Sequence, residues 1–308
     1  MIINVISEEN DKSTDNIVKW LVCLDQPYQR FNVEQYTKFS FLLGGKVKRN
    51  RTNIIHRRAK LRTYLNSGFA ALDTYVKEET NTLIKSWEKI VKSDCTSNYM
   101  GGFNEEDQHD KLFDLFIAES IGLKIPETLI TNSKKELIDF AKKHIVITKA
   151  INKPIQINLE KVSMRDKGTL QLDEDTIGEL NDDFSLSIFQ EYIEKECEIR
   201  ALVYDQKIFS MAIFSQRDKK TRTDYRNYNY ENPNRCVPFK LPNVIERKIL
   251  KFFKLKNINM GSIDLILNEN GFYFLENNPQ GQYEWVSENC NYYIDRYIAK
   301  QLINFQNE

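Results

Sequence analysis

The spacing of apolar residues changes period several times along the chain. Ile2 to Ile6 has strand character, and Ser13-Thr14-Asp15 supplies helix N-caps ahead of Ile17, Val18, Trp20, Leu21 and Leu24 at helical spacing. From Ala59 to Val91 the apolar residues Leu61, Leu65, Ala70, Leu72, Tyr75, Leu83, Ile84, Trp87 and Ile90 predict helical scaffold. Ser93 to Asp110 is polar and contains glycine, which predicts the linker out of a first domain. A helix opening at Lys111 and closed by Gly122 comes next, then a helix capped by Ser133 and a strand from Ile145 to Lys149. After a polar insertion from Asn158 to Asp183, a strand from Leu186 runs into a hinge at Gln190-Glu191-Tyr192-Ile193. Glu198 to Tyr204 and Lys207 to Phe214 form a hairpin turned at Asp205-Gln206. This mixture predicts an α/β (α+β) protein.

Met260 to Gly281 predicts a second hairpin, because the apolar runs Ile263 to Leu267 and Phe272 to Leu275 flank Glu269-Asn270-Gly271. Two registers are open. A two-residue Asn270-Gly271 turn sets Asp264 opposite Asn277 and sends Glu276 and Asn278 to the other face. A three-residue loop with Gly271 left-handed sets Asp264 opposite Glu276 and Ser262 opposite Asn278. In that second register Ile266 and Phe274 share the face of the carboxylates. Carboxylates beside apolar groups need a partner, and Mg²⁺ with phosphate oxygens is one solution; a solvated hairpin end is the other.

Several cations stand among apolar neighbours. Lys149 shares its face with Ile147 and Ile145, and Arg200 shares its face with Leu202 and Tyr204. A buried guanidinium calls for a phosphate or carboxylate. Lys111 occupies the first turn of a helix, where the dipole favours anions, so its presence points to an anion nearby. Ser215 to Arg226 reads as a mobile loop whose cations include Arg217 and Arg226, either solvated or facing an anionic substrate. The run Lys46, Lys48, Arg49, Arg51, His56, Arg57, Arg58, Lys60 and Arg62 reads as a solvated helix face or as a patch for phosphate or an acidic peptide.

The 308 residues suffice for two or three lobes, and 44 basic residues balance 44 acidic ones, so no global field selects nucleic acid or membrane as a partner. The five cysteines lack CxxC spacing, which predicts neither a zinc site nor a disulfide framework. With no signal-like leader and no long apolar run, the expected location is the cytoplasm.

Taken in order, Asp110-Lys111, Gly122-x-x-x-Pro126-x-Thr128, Lys149, the Gln190 to Ile193 hinge, Glu198-x-Arg200, Asp224-x-Arg226, Asp264 and Glu276-x-Asn278-Pro279-x-Gly281 resemble the ATP-grasp ligase superfamily over about residues 105–300. Glu276 to Gln282 followed by Trp285, together with Arg217 and Asp224-Tyr225-Arg226, is most similar to its peptide-modifying branch, the graspetide synthetases. The Gln29 to Asn32 stretch is similar as well.

The resemblance implies an N-terminal α/β domain over 1–105, a central lid over 106–192 and a C-terminal lobe over 193–308, the last two clasping ATP. It implies that Lys111 and Lys149 hold phosphates, that Gln190, Glu191, Tyr192 and Ile193 receive adenine, and that Glu198 takes the ribose. Asp264, Glu276 and Asn278 would bind Mg²⁺, while Arg200 and Arg226, with Asp224 and Arg217 beside them, would serve the γ-phosphate and the acyl phosphate. One departure is the stretch after Lys149, which has no glycine until Gly168 and so lacks the usual phosphate-cradling loop.

The implied reaction makes ester or amide crosslinks in a ribosomal precursor peptide, guided by its leader. The basic run at 46–62 and the acidic stretch Asp173 to Asp183 are docking candidates, and analogy suggests a homodimer. Addition of free amino acids to a protein or small molecule is the alternative reaction. A non-catalytic nucleotide-binding or peptide-binding module is the alternative class.

Overall fold

The computed structural model describes residues 2–38, 53–61, 66–93, 99–107, 109–151, 156–158, 163–165, 168–227 and 229–304. Strands β1 (Ile3–Ser7), β2 (Tyr28–Asn32), β3 (Asn53–His56) and β4 (Tyr99–Met100) form a parallel sheet in the order β2-β1-β3-β4. Helix α1 (Lys12–Cys23) buries Ile17 and Leu21, with Asp11 rather than Ser13 to Asp15 at its N-cap position. The Asp11 carboxylate accepts from the Thr14 hydroxyl at 2.6 Å, which ties up the residue expected to cap.

Helix α2 spans Ala70–Lys92, so the predicted start at Ala59 is wrong. Ala59 and Leu61 are instead buried in an irregular connection, and Leu65 lies outside the described residues. Of the basic run, Lys46, Lys48, Arg49, Arg51 and Arg62 also lie outside them. His56 and Arg57 are buried at the end of β3, not on a helix face, because each meets a carboxylate there: His56 that of Glu88, and Arg57 that of Asp11 at 3.1 Å. The predicted linker holds β4 and α3 (Phe103–Asp107), so that stretch is built into the first sheet.

Helix α4 (Lys111–Ser120) leads to a second sheet of β5 (Thr128–Ser133), β6 (Val146–Thr148), β9 (Leu170–Leu172) and β10 (Asp183–Glu191), with α5 (Lys134–Ala141) after β5. A separate two-stranded ribbon pairs β7 (Gln156–Asn158) with β8 (Ser163–Arg165). The stretch expected as a polar insertion also contributes β9 and α6 (Glu174–Glu179), the latter capped by Asp173, which accepts from Thr176 N at 2.8 Å. Leu137, Val146, Ile177 and Phe189 pack between the helices and this sheet.

The third sheet is antiparallel, in the order β13 (Arg235–Phe239), β12 (Lys207–Phe214), β11 (Cys197–Tyr204), β14 (Met260–Asn268), β15 (Gly271–Asn278). One face, with Ile199, Val203, Ile263, Leu265 and Phe274, is covered by α4 and α7 (Asn243–Lys256). The other face is divided. Leu202, Tyr204, Met211 and Met260 join a core with Ile3 and Val5 of β1, Ile17 of α1, Val286 of α8 (Glu284–Cys290) and Ile298 of α9 (Ile294–Asn304). Further along the same face the residues turn polar, at Arg200 and Asp264. Among the described residues no helix is long and apolar enough to cross a membrane.

Candidate functional site

The β14–β15 hairpin begins with Asn268 paired to Gly271, a turn of Glu269-Asn270 and Gly271 at φ +110°. Leu265 pairs with Phe274, but the next pair is Asp264 with Glu276, followed by Ser262 with Asn278. Leu275 is therefore the unpaired residue of a β-bulge. The turn matches neither predicted register, yet at the site the pairing is that of the three-residue loop. One expectation fails: Phe274 does not lie beside the carboxylates but packs in the core against Phe252, with ring centroids 5.2 Å apart. The bulge reverses the alternation below Glu276 and puts Leu275 near Ile266 instead.

Asp264 and Glu276 are nearly buried, each 6% exposed. Such charges persist only with partners. Arg200, directly across the β11–β14 ladder, donates from Nη1 to both Asp264 oxygens at 2.9 and 2.7 Å and from Nη2 to the Gly281 carbonyl at 3.2 Å. The Asn278 amide donates to Asp264 at 3.2 Å. Arg226 grips Asp224 with two 2.8 Å bonds and reaches Glu276 with a third at 3.1 Å. Burial pushes the Asp264 carboxyl up while Arg200 pulls against it. Burial also opposes ionisation of Glu276, but the charges of Arg226, Lys149, Lys111 and Arg200 outweigh it and hold that carboxyl below its usual range.

Lys111 enters from α4, whose N-cap Asp110 accepts from Phe113 N at 3.0 Å, and its ammonium donates to the Ala150 carbonyl at 2.7 Å. Lys149 follows β6; burial, partly offset by Glu276, lowers its pKa. Residues 152–155 of the glycine-poor stretch lie outside the described residues.

Gln190 to Ile193 line a slot of about 60 Å³ together with Ile147, Ile266 and Leu275. Their side chains brace the strand: Gln190 donates to the Thr128 hydroxyl at 2.9 Å, and Glu191 accepts from Glu127 N at 3.0 Å. Tyr192 N donates to the Ile145 carbonyl at 2.7 Å. Glu198 lies in the same slot, bound to Lys195 and accepting from the Ser215 hydroxyl at 2.7 Å. Burial raises its carboxyl, against the pull of Lys195.

The slot opens into a cavity of about 950 Å³, the two sharing Lys149, Thr169, Asp224, Arg226 and Glu276. The cavity lining also includes the cations Arg58, Lys60 and Lys77, and His109 beside Asn277. The expected mobile loop is held, with Ser215, Thr221 and Asp224 buried and the Thr221 hydroxyl donating to the Ser215 carbonyl at 2.8 Å. Arg217 is exposed and lies outside both cavities, so the structure does not bring it to the cluster.

Lys195 and His109 are not singled out by the sequence, and Arg57, expected on a solvated or docking face, is instead buried against Asp11. Lys195 sits three residues before Glu198, the one local signal on offer. The partners of Arg57, Asp11 and the Gln280 carbonyl, are remote in sequence and leave no local trace.

Two carboxylates and an amide oxygen at one hairpin end suit Mg²⁺, which takes few protein ligands and leaves room for phosphate and water. The neighbouring cations suit a polyphosphate, and the Ile-lined and Leu-lined slot offers apolar faces to a flat heterocycle but must widen from its volume of about 60 Å³ to admit one.

No protein-family model matches the chain, and no curated protein matches it. Solved structures do. The RiPP-associated ATP-grasp ligase of Chryseobacterium gregarium, in complex with ADP and a leader and core peptide, is 24% identical with a TM-score of 0.83 over 98% of this chain and 96% of that one. The macrocyclase MdnC of Microcystis aeruginosa MRC, bound with precursor peptide MdnA, is 22% identical with a TM-score of 0.79 over 99% and 100%. The ATP-grasp ligase PsnB, complexed with minimal precursor, is 14% identical with a TM-score of 0.79 over 99% and 98%. Over nearly its whole length, this chain has the mixed α/β fold of the ATP-grasp ligases.

Proposed function

We propose that this protein is an ATP-dependent, ADP-forming ligase that activates Asp or Glu side chains of a ribosomal precursor peptide and joins them to Thr or Ser hydroxyls or Lys amines. The observation that carries this reading is the convergence of Lys111, Lys149 and Arg226 on Glu276, where the hinge slot opens into a cavity large enough for a peptide segment. Proteins of this fold have been solved with ADP and a leader and core peptide, and with Mg, ADP and a minimal precursor.

In this reading the backbone of Gln190 to Ile193 receives adenine and Glu198 faces the ribose. Lys111 and Lys149 neutralise phosphate oxygens. Arg226, aimed by Asp224, holds the γ-phosphate and then the acyl phosphate. Arg200, which lines neither cavity and spends its fork on Asp264 and the Gly281 carbonyl, reaches the phosphate only if Asp264 turns to the metal. Arg217, out on its loop, would meet the peptide rather than the nucleotide. Asp264, Glu276 and Asn278 would hold Mg²⁺, which when bound supplies further charge neutralisation at the phosphates.

A substrate carboxylate oxygen bonds to the γ-phosphorus as ADP leaves, and a hydroxyl or amine then displaces phosphate from the acyl carbon. Positioning and fixed charge supply the catalysis. Residues 1–105 wall the peptide cavity, 106–192 act as the lid and 193–308 carry the nucleotide site. We place the reaction in the cytoplasm, where ATP is made available.

ADP release tests the reading: it is expected only when Mg²⁺ and an Asp-bearing or Glu-bearing peptide substrate are both present. ATP hydrolysis indifferent to peptide contradicts it.

A further inference from the structure

The chain has three histidines, and the fold treats them differently. His56 is sealed against Glu88, and His144 packs on Phe140, with ring centroids 4.7 Å apart, beside Glu127 and Glu191. His109 is half-buried and lines the large cavity, on a wall it shares with Lys111, Glu276 and Asn278. Its Nδ1 lies 3.0 Å from the backbone oxygen of Asn277, the residue between Glu276 and Asn278. A carbonyl can only accept, so Nδ1 carries the proton and Nε2 keeps its lone pair.

Resting on the ligase reading above, we infer that His109 is the general base of the second half-reaction, taking the proton from the substrate hydroxyl or amine as it attacks the acyl phosphate. The O–H or N–H proton passes to Nε2, and the electron pair of that bond forms the new bond to the acyl carbon. The carbon–oxygen bond to phosphate breaks, and phosphate leaves with its electrons. The imidazolium then gives its proton to the released phosphate.

Two observations favour His109 over its neighbours. The carboxylates lining the cavity are engaged: Glu106 accepts from Arg58 N at 2.5 Å, Asp107 binds Lys60, and Asp224 is held in the Arg226 fork. Carboxylates tied up in ion pairs or backbone hydrogen bonds are poor bases for a hydroxyl, whereas a neutral imidazole suits proton transfer near neutral pH. Burial lowers the His109 pKa below its usual value; Glu276 and the Asn277 bond oppose this, while Lys111 and Lys256 reinforce it. Burial thus favours the neutral ring, the form that can accept a proton. Its anchor on β15 also places the base on the strand that presents Glu276 and Asn278.

The test separates the two half-reactions with hydroxylamine, an uncharged nucleophile near neutral pH that traps acyl phosphates as hydroxamates without needing a protein base. With ATP, Mg²⁺ and an Asp-bearing or Glu-bearing peptide on which wild-type protein releases ADP, His109→Gln is expected to keep hydroxamate formation within about two-fold of wild type. Its crosslinking is expected to fall on the order of 10²-fold or more. Equal loss of both products would mean a structural role and overturns the assignment, as does undiminished crosslinking. Wild-type protein that forms neither product overturns the ligase reading itself. Independently of any substrate, ¹⁵N shifts of the wild-type histidines at neutral pH are expected to show His109 protonated on Nδ1, and a proton on Nε2 instead overturns the proposal.

Discussion

Asp264 and Glu276 face each other across the last hairpin because Leu275 has no partner on the opposite strand. Without that extra residue the regular ladder would set Leu275 opposite Asp264 and Glu276 opposite Ile263, whose side chain lies in the core. The bulge lets Phe274 fill the core on one side and Glu276 meet Arg226 on the other. One hairpin thereby serves both packing and chemistry.

The two carboxylates differ in what their loss exposes. Glu276→Gln removes a partner of Arg226, which is half exposed and keeps Asp224, so thermal stability is expected to change little while ligation falls on the order of 10²-fold or more. Asp264→Asn strands the buried Arg200 charge, and is expected to cost about 3–5 kcal/mol of stability as well as activity. Denaturant titration beside an ADP assay separates the two, and equal stability losses would contradict this difference.

Much of this site is legible in the sequence because strand alternation exposes misfits. Arg200 among Leu202 and Tyr204, and Asp264 among Ile263 and Leu265, stand out without any structure. The adenine and ribose roles rest on resemblance, since the Thr128 partner of Gln190 is remote in sequence and the nearby Lys195 marks Glu198 as ion-paired without pointing to a ribose. The bulge at Leu275 was hidden because an extra residue changes the pairing without changing composition. The burial of His56 and Arg57 was hidden because their carboxylate partners, Glu88 and Asp11, are remote in sequence. There a dense run of charge looked like a solvated surface.

If Glu198 receives the ribose, wild-type protein is expected to bind ATP about ten-fold more tightly than the 2′-deoxy nucleotide, the worth of one hydrogen bond to a charged group. Glu198→Gln should bring the two affinities together. An unchanged preference in the variant, measured by calorimetry, would remove Glu198 from the nucleotide site.

Glu88 makes stability depend on pH. Burial works against its ionisation, but the His56 and Lys92 charges and hydrogen bonds hold its pKa down at about 2, against 4.5 unperturbed. A lowered carboxylate pKa gives stability that is fully present above pH 4.5 and is lost as pH falls toward 2, on the order of 3 kcal/mol in all. Denaturation curves at pH 7 and pH 3 are expected to show about 2 kcal/mol of this loss, since pH 3 still lies above the folded pKa, and Glu88→Gln should flatten it.

Gly281 sits at φ +80° with its carbonyl accepting from Arg200 and Ser262, and an added Cβ would lie 2.6 Å from the Met260 methyl carbon. Gly281→Ala is expected to cost about 1–2 kcal/mol from the left-handed backbone. Gly178, inside α6 with nothing within 4 Å, is the control: Gly178→Ala should be neutral or stabilising. Equal melting temperatures for the two variants would contradict the strain argument.

In the proposed reaction ATP is consumed to join two side chains of one peptide. Intact mass of the co-expressed neighbouring-gene peptide tests it directly. The expected result is loss of one water per crosslink with wild-type protein and an unchanged mass with Glu276→Gln. Addition of amino-acid mass, or an unchanged peptide alongside wild-type ADP release, would contradict it.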